Sequence, residues 1–420
     1  MTFMASTPQG APADIDGRRA WLRLVVCMLL GTLGSVGMWS IVVVLPAVQA
    51  EFGVTRGDAS LPYTLTMLGF ASGNVLLGRI MDRTGVIPPL LAGIVCLATG
   101  YALAAAAGSV IPFAVLQGVI GFGAAATFSP LIADLSHWFR RRRGIAVAAA
   151  ATGNYVAGAF WPLAMQLTLP AYGWRATYLT IGAICVLLMT PLVAKLRARP
   201  PPIASTAEAA AQASRLSAAG LTPRSLRILL SVAGLGCCVA MSMPQVHIVA
   251  YCVDLGFGIA RGSEMLALML AGGVVSRLAS GFLADYIGGA RVLLLGSVLQ
   301  CLSLAAYIPF NGLASLYVVS AVFGLSQGGI VPSYAIIVRE YLPAQEAGRR
   351  VGIVMTMTIV GMALGGWLSG AIYDATGSYR AAFVNGIAWN VLNILIVLFI
   401  LGSVARRSGP EPRAAAGPAG

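Results

Sequence analysis

Apolar runs of about twenty residues follow one another along nearly the whole chain, and that length is what a helix needs to cross the hydrocarbon core of a bilayer. Set by their breakers, the runs are 21–49, 60–81, 87–108, 111–138, 144–168, 175–195, 227–253, 263–285, 290–309, 313–338, 350–372 and 380–404. Twelve spans leave almost nothing for a separate soluble domain, so the expected fold is an all-α membrane protein with twelve transmembrane helices. Of 420 residues, 58% are hydrophobic and only 10% are charged, against about a quarter charged in a soluble domain. A cytosolic enzyme and a secreted disulfide scaffold are excluded. The first run is too long for a signal-peptide core and no small-residue cleavage site follows it, so it is expected to stay in the mature protein. Cys27, Cys96, Cys185, Cys237, Cys238, Cys252 and Cys301 lie in or beside these runs without CxxC spacing. They read as small hydrophobes, not as a metal or disulfide set.

An even number of spans puts both termini on one side. On that side fall Arg18, Arg19, Arg23, Arg79, Arg83, Arg140 to Arg143, the six cations from Lys195 to Arg227, Arg291, Arg339, Arg349, Arg350 and three in the tail. Only Arg56, Arg175, Arg261 and Arg380 fall opposite. The positive-inside rule then expects cytoplasmic termini in a bacterial inner membrane. The net charge of +13 is thereby topological and does not call for nucleic acid.

One composition shift divides the chain. Residues 197–226 carry Pro200-Pro201-Pro202, an Ala/Ser-rich stretch and Thr222-Pro223, between a six-helix half at 21–196 and another at 227–405, with tails 1–20 and 406–420. The halves repeat each other. Gly78, Asp82 and Gly85 align with Gly281, Asp285 and Gly288 at an offset of 203, and Gly121-Phe-Gly123 aligns with Gly324-Leu-Ser326. Trp174-Arg175 aligns with Tyr379-Arg380 at 205. Parallel six-span repeats are the plan of one class of secondary transporters, with the substrate between the halves.

In these residues the chain resembles the major facilitator superfamily, whose G-x-x-x-D-R-x-G signature is matched by Gly78, Asp82, Arg83 and Gly85 and, in weaker form, by Gly281, Asp285 and Gly288. The resemblance implies two pseudo-symmetric six-helix halves. It also implies that Asp82 and Arg83, with Asp134 near the end of span 4, latch the cytoplasmic side in one access state. The alternative is that Asp82 caps a helix and Arg83 sets topology. Trp138-Phe139-Arg140 to Ala146, Gly173-Trp174-Arg175 and above all Arg277 in span 8 are similar to the monocarboxylate and oxalate/formate group of that superfamily. The chain departs from that group in lacking lysines in spans 1 and 11, since Lys195 is its only lysine, and in having Gly273 where a carboxylate is expected four residues before the arginine.

Ionisable residues inside spans are costly and mark a substrate or ion path. Two sit well inside, Arg277 and His247. A guanidinium offers a carboxylate a planar fork and stays charged when desolvated. No Asp or Glu is near Arg277 in sequence, so a bound anion is its expected counter-ion, the alternative being a carboxylate from another span such as Asp134 or Asp254. The pseudo-symmetric position is Asn74. His247 follows Pro244 and Gln245, and either contacts substrate, carries a coupling proton, or is satisfied by a carbonyl freed at the proline. Asn154, Tyr155 and Tyr334, with Gln245 and Asn74, complete the candidate lining, with helix packing as the alternative; the resemblance favours Tyr334. Arg339, Glu340, Arg349 and Arg350 form either a cytoplasmic gate or a topology signal.

The expectation is a monomeric alternating-access transporter that moves a small monocarboxylate or related organic anion by H⁺ symport or exchange. Its partners are the anion, a coupling proton and the bilayer. No phosphate-binding loop is present, so neither ATP nor any other cofactor or metal is implied. The competing reading is proton-coupled efflux of drugs or metabolites, and such carriers usually hold a buried carboxylate in the first half, where none is seen.

Overall fold

The computed structural model describes residues 16–136, 138, 139, 143–197, 222–341 and 344–407. The Arg140 to Arg142 part of the basic turn and most of the linker lie outside them, as do the side chains of Arg143, Arg339, Arg349 and Arg350. Among the described residues every regular element is helical.

Twelve crossings result, numbered in chain order. α1 is Arg18–Gly34 continued past a turn at Ser35 by Val36–Phe52. α2 is Arg56–Thr84, α3 Ile87–Ala105, and α4 Val110–Ala125 continued by Ser129–Ser136. The helix Arg143–Ala194 folds back at Gly173, whose φ of 73° and ψ of 172° are non-helical, and so supplies α5 and α6. In the second half α7 is Pro223–Asp254, α8 Gly258–Ile287 and α9 Gly289–Ala306. α10 is Leu313–Gln327 continued by Ile330–Tyr341, α11 Ala344–Thr376 and α12 Tyr379–Arg407. Ten of these helical stretches are long and apolar enough on their own to cross a membrane. One of the ten contains both α5 and α6, and the more polar α2 is the remaining crossing.

Burial shows what surrounds the bundle. Leu167 is 79% exposed, Leu187 70% and Phe282 66%, all on helices whose other faces are packed. Large side chains turned outward from every side of a helix bundle suit lipid and not water.

The repeat is physical. Gly85 and Gly288, both at the C-terminal end of the second helix of their half, have φ of 85° and 82°, where a Cβ is strained. A Cβ on Gly121 would stand 2.0 Å from the Thr66 carbonyl oxygen, and one on Gly324 would stand 2.3 Å from that of Met269. Both pairs are again 203 apart, so α2 crosses α4 as α8 crosses α10. The fourth helix of each half breaks at the matching place, after Ala125 and after Gln327.

The two halves meet along three lines: α2 against α11, α5 against α8, and the second segment of α1 against α7. We call the end of the bundle carrying the chain termini the near face and the other the far face. Among the described residues, every hydrogen bond between the halves lies toward the far face except one, made by Arg277.

Candidate functional site

Arg277 stands about two-thirds of the way along α8 toward the near face, on the seam with α5, and is 7% exposed. Its guanidinium is held by backbone and by an aromatic ring. Nε donates to the Gly328 carbonyl at 3.3 Å, and Nη1 donates across the seam to the Ala151 carbonyl at 2.7 Å. The charge lies 4.2 Å from the centre of the Tyr155 ring, a cation–π contact. No carboxylate among the described residues lies within 4 Å of it, and Nη2 makes no hydrogen bond to them.

Glycine builds this cradle. A Cβ on Gly273 would meet Tyr155 Cδ1 at 2.4 Å, so the ring reaches the guanidinium only because position 273 has no side chain. The place where a carboxylate was expected is filled by Tyr155. A Cβ on Gly328 would meet the Gly273 carbonyl at 2.2 Å, and this tight α8–α10 contact brings the Gly328 carbonyl onto Arg277. One residue earlier, Gln327 accepts from Gln245 Nε2 at 2.5 Å. That bond leaves Gln245 Oε1 and Gln327 Nε2 buried without a partner, one acceptor and one donor beside the arginine's own support.

The other candidates are placed as follows. Asn154 accepts from Trp39 Nε1 at 3.0 Å, tying α5 to α1. Asn74 donates to the Phe70 carbonyl of its own helix at 2.8 Å, and its Oδ1 is buried without a partner. Tyr334 is fully buried and donates to Asn393 Oδ1 at 2.8 Å, inside the second half. His247 is fully buried and belongs to a different cluster, near the far face. Its Nε2 donates to the Gly366 carbonyl at 2.8 Å, and its Nδ1 lies 3.1 Å from the Tyr379 hydroxyl. The carbonyl comes from α11, and α7 runs through Pro244 as one helix. The structure thus joins Arg277 and Tyr155, has the Gln245–Gln327 pair one residue along α10 from the Gly328 support, and sets His247 and Tyr334 among other partners.

Among the signature residues, Asp82, Arg83 and Asp285 are exposed and make no hydrogen bond or ion pair with the described residues. Asp134 is buried and takes Arg23 Nε at 2.6 Å and Nη2 at 2.9 Å, within the first half. Glu340 accepts from the Gly289 amide at 3.1 Å, at the start of α9. The cysteines are free.

Arg56 and Asp374 were not singled out from sequence. Arg56 opens α2 and is 7% exposed. It binds Asp254 of α7 at 2.9 Å and the Tyr379 hydroxyl of α12 at 3.1 Å. Asp374 of α11 accepts from the backbone amides of Arg56 at 2.8 Å and Gly57 at 2.6 Å. The available signal was the small number of cations on that side of the membrane. An outward hollow of about 610 Å³ between α2, α3 and α4, lined by Leu65, Leu68, Val115 and Phe122 among others, is apolar and has nothing to fix a charge.

The sequence model of the Major Facilitator Superfamily matches residues 27–289 and 254–419. Monocarboxylate transporter 13 of Rattus norvegicus is 29% identical over 383 residues, 88% of this chain and 86% of that protein. Monocarboxylate transporter 11 of Homo sapiens is 28% identical over 402 residues, 91% of this chain and 82% of that protein. In structure, a bacterial homolog to the human lysosomal transporter Spinster, inward-facing and occupied, superposes with a TM-score of 0.67 at 14% identity, over 95% of this chain and 97% of that one.

Proposed function

The chain belongs to the major facilitator superfamily, and from that premise we propose that it is an alternating-access carrier of a small monocarboxylate or related organic anion, bound through its carboxylate by Arg277. One observation carries the reading. A buried guanidinium on the seam between the halves has no carboxylate partner among the described residues and keeps Nη2 unbonded to them. A charge so desolvated is stabilised by an anion that arrives with the substrate. The names of the relatives at 28–29% identity point the same way.

The geometry supplies a mechanism. A substrate carboxylate takes Nη2 and the free edge of Nη1, while Tyr155 covers the guanidinium from one side. Drawing the guanidinium toward the anion loosens its bond to the Ala151 carbonyl, which belongs to the other half. Binding thereby exchanges a contact between halves for a contact with substrate, and the halves are freed to rock. The unpartnered Gln245 Oε1 and Gln327 Nε2 are the polar groups available to a hydroxyl or keto substituent. Coupling is by H⁺ symport or anion exchange, in a bacterial inner membrane with both termini in the cytoplasm.

The test is thermal melting of the purified protein across monocarboxylates, dicarboxylates, neutral compounds and hydrophobic cations, with Arg277→Ala alongside. A ligand at a hundredfold its Kd adds about 2.7 kcal/mol of stability. We expect a monocarboxylate to raise the melting temperature of the parent and not of the variant. Stabilisation by hydrophobic cations alone, equal in both proteins, would overturn the reading in favour of efflux.

A further inference from the structure

The far-face cluster joins α2 of one half to α7, α11 and α12 of the other through groups that use one another up. Asp254 and Asp374 hold Arg56 from two sides, the first by its side chain and the second by its amide. Arg56 Nη1 donates to the Tyr379 hydroxyl. His247 Nε2 faces a carbonyl and must be the donor there. With Nε2 carrying the hydrogen, Nδ1 of the neutral ring is an acceptor, so the Tyr379 hydroxyl donates to it. The chain therefore runs in one direction, from Arg56 through Tyr379 and His247 to Gly366.

A second proton on His247 has only Nδ1 to occupy, and there it displaces the Tyr379 hydrogen. The Tyr379 oxygen then receives donors from both His247 and Arg56, and its own hydrogen loses its acceptor. Imidazolium and guanidinium stand one hydroxyl apart. The groups around His247 and its partners Tyr379 and Gly366 are Arg56 and Tyr63 of α2, Tyr373 and Asp374 of α11, Tyr379 of α12, and Tyr251 and Asp254 of its own α7. Glu51, on the α1 segment against α7, is held by Arg175 in its own half. Both nearby carboxylates are already engaged by α2, so the new cation draws on the same charges that hold the halves together.

We propose that Arg56, Asp254 and Asp374 are the far-face gate of the transport cycle, and that protonation of His247 and closure of this gate exclude each other. A proton reaching His247 opens the far face. The proposal rests on the alternating-access reading and not on the carboxylate one, and its test needs no substrate.

Spin labels are placed at Ser109→Cys and Asn311→Cys, both exposed on far-face connections of opposite halves. The two half-buried cysteines, Cys96 and Cys301, are replaced by Ala, and the full chain is studied in nanodiscs by pulsed electron paramagnetic resonance at pH 8 and pH 6. We expect the ratio of long to short distances to rise about fourfold on acidification, the shift that one proton on a histidine of ordinary affinity in the open state produces between these pH values. Arg56→Ala and Asp254→Asn, two independent breaks of the same gate, should give the long distance at both pH values. His247→Gln should hold the short distance at both. Unchanged distances in Arg56→Ala and Asp254→Asn overturn the gate. A parent without a pH response, or a response that survives His247→Gln, overturns the role of the proton.

Discussion

Gly273 decides what Arg277 is paired with. Any side chain there enters the space of the Tyr155 ring, and the guanidinium would lose its aromatic cover. We expect Gly273→Ala to cost about 1–3 kcal/mol, the range for overfilling a packed site, seen as a lower melting temperature. In a Tyr155→Ala background Gly273→Ala should cost little, and a cost that stays the same in that background would show that the ring is not the obstacle. Arg277 itself was legible in the sequence, because a lone cation in an apolar run has no innocent place to go. Arg56 was not. At the end of a span it reads as a topological charge, and its place in a contact between the halves exists only because Asp254 and Asp374, 198 and 318 residues away, fold against it. His247 was visible as an anomaly, but its partners come from α11 and α12, which no local pattern in α7 announces. Asp134, expected to join Asp82 and Arg83 in the latch, is bound by Arg23 of α1, a partner from another span that no local pattern announces.

Helices were legible in number and less so in extent. Hydropathy counts what lies in lipid, whereas a helix continues as long as its backbone is satisfied, so α2 begins at Arg56 and not at 60, and α11 at Ala344 and not at 350. Thr55 explains the first of these, accepting from the Asp58 amide at 3.2 Å as an N-cap. α5 continues to the bend at Gly173 because positive φ is cheap only for glycine there. The offset of 203 was readable in a handful of glycines, and their use was not: Gly121 and Gly324 press on the carbonyls of facing helices. Gly121→Ala and Gly324→Ala should therefore each destabilise by about 1–3 kcal/mol, and by similar amounts. Detergent-resistant monodisperse yield on gel filtration measures this, and one tolerated alanine beside one damaging one would break the equivalence of the two crossings.

At the scale of the whole molecule, the proposed orientation, with the near face in the cytoplasm, is directly testable. Asp82→Cys on the near face should react with a membrane-impermeant maleimide only in inside-out vesicles, and Ser109→Cys on the far face only in intact cells. The reverse pattern would turn the protein over in the membrane. The described bonds between halves gather at the far face, while Asp82, Arg83 and Asp285 on the near face make none with the described residues. One of these bonds is of an unusual kind. The amides of Arg56 and Gly57 open a helix of one half and are capped by Asp374 of the other, so neither half closes its own hydrogen bonds at that end. Once Asp374 withdraws, only water can take its place on those two amides. Opening the far face is for that reason a wetting step, favoured by high water activity and opposed by osmolytes that are excluded from the crevice.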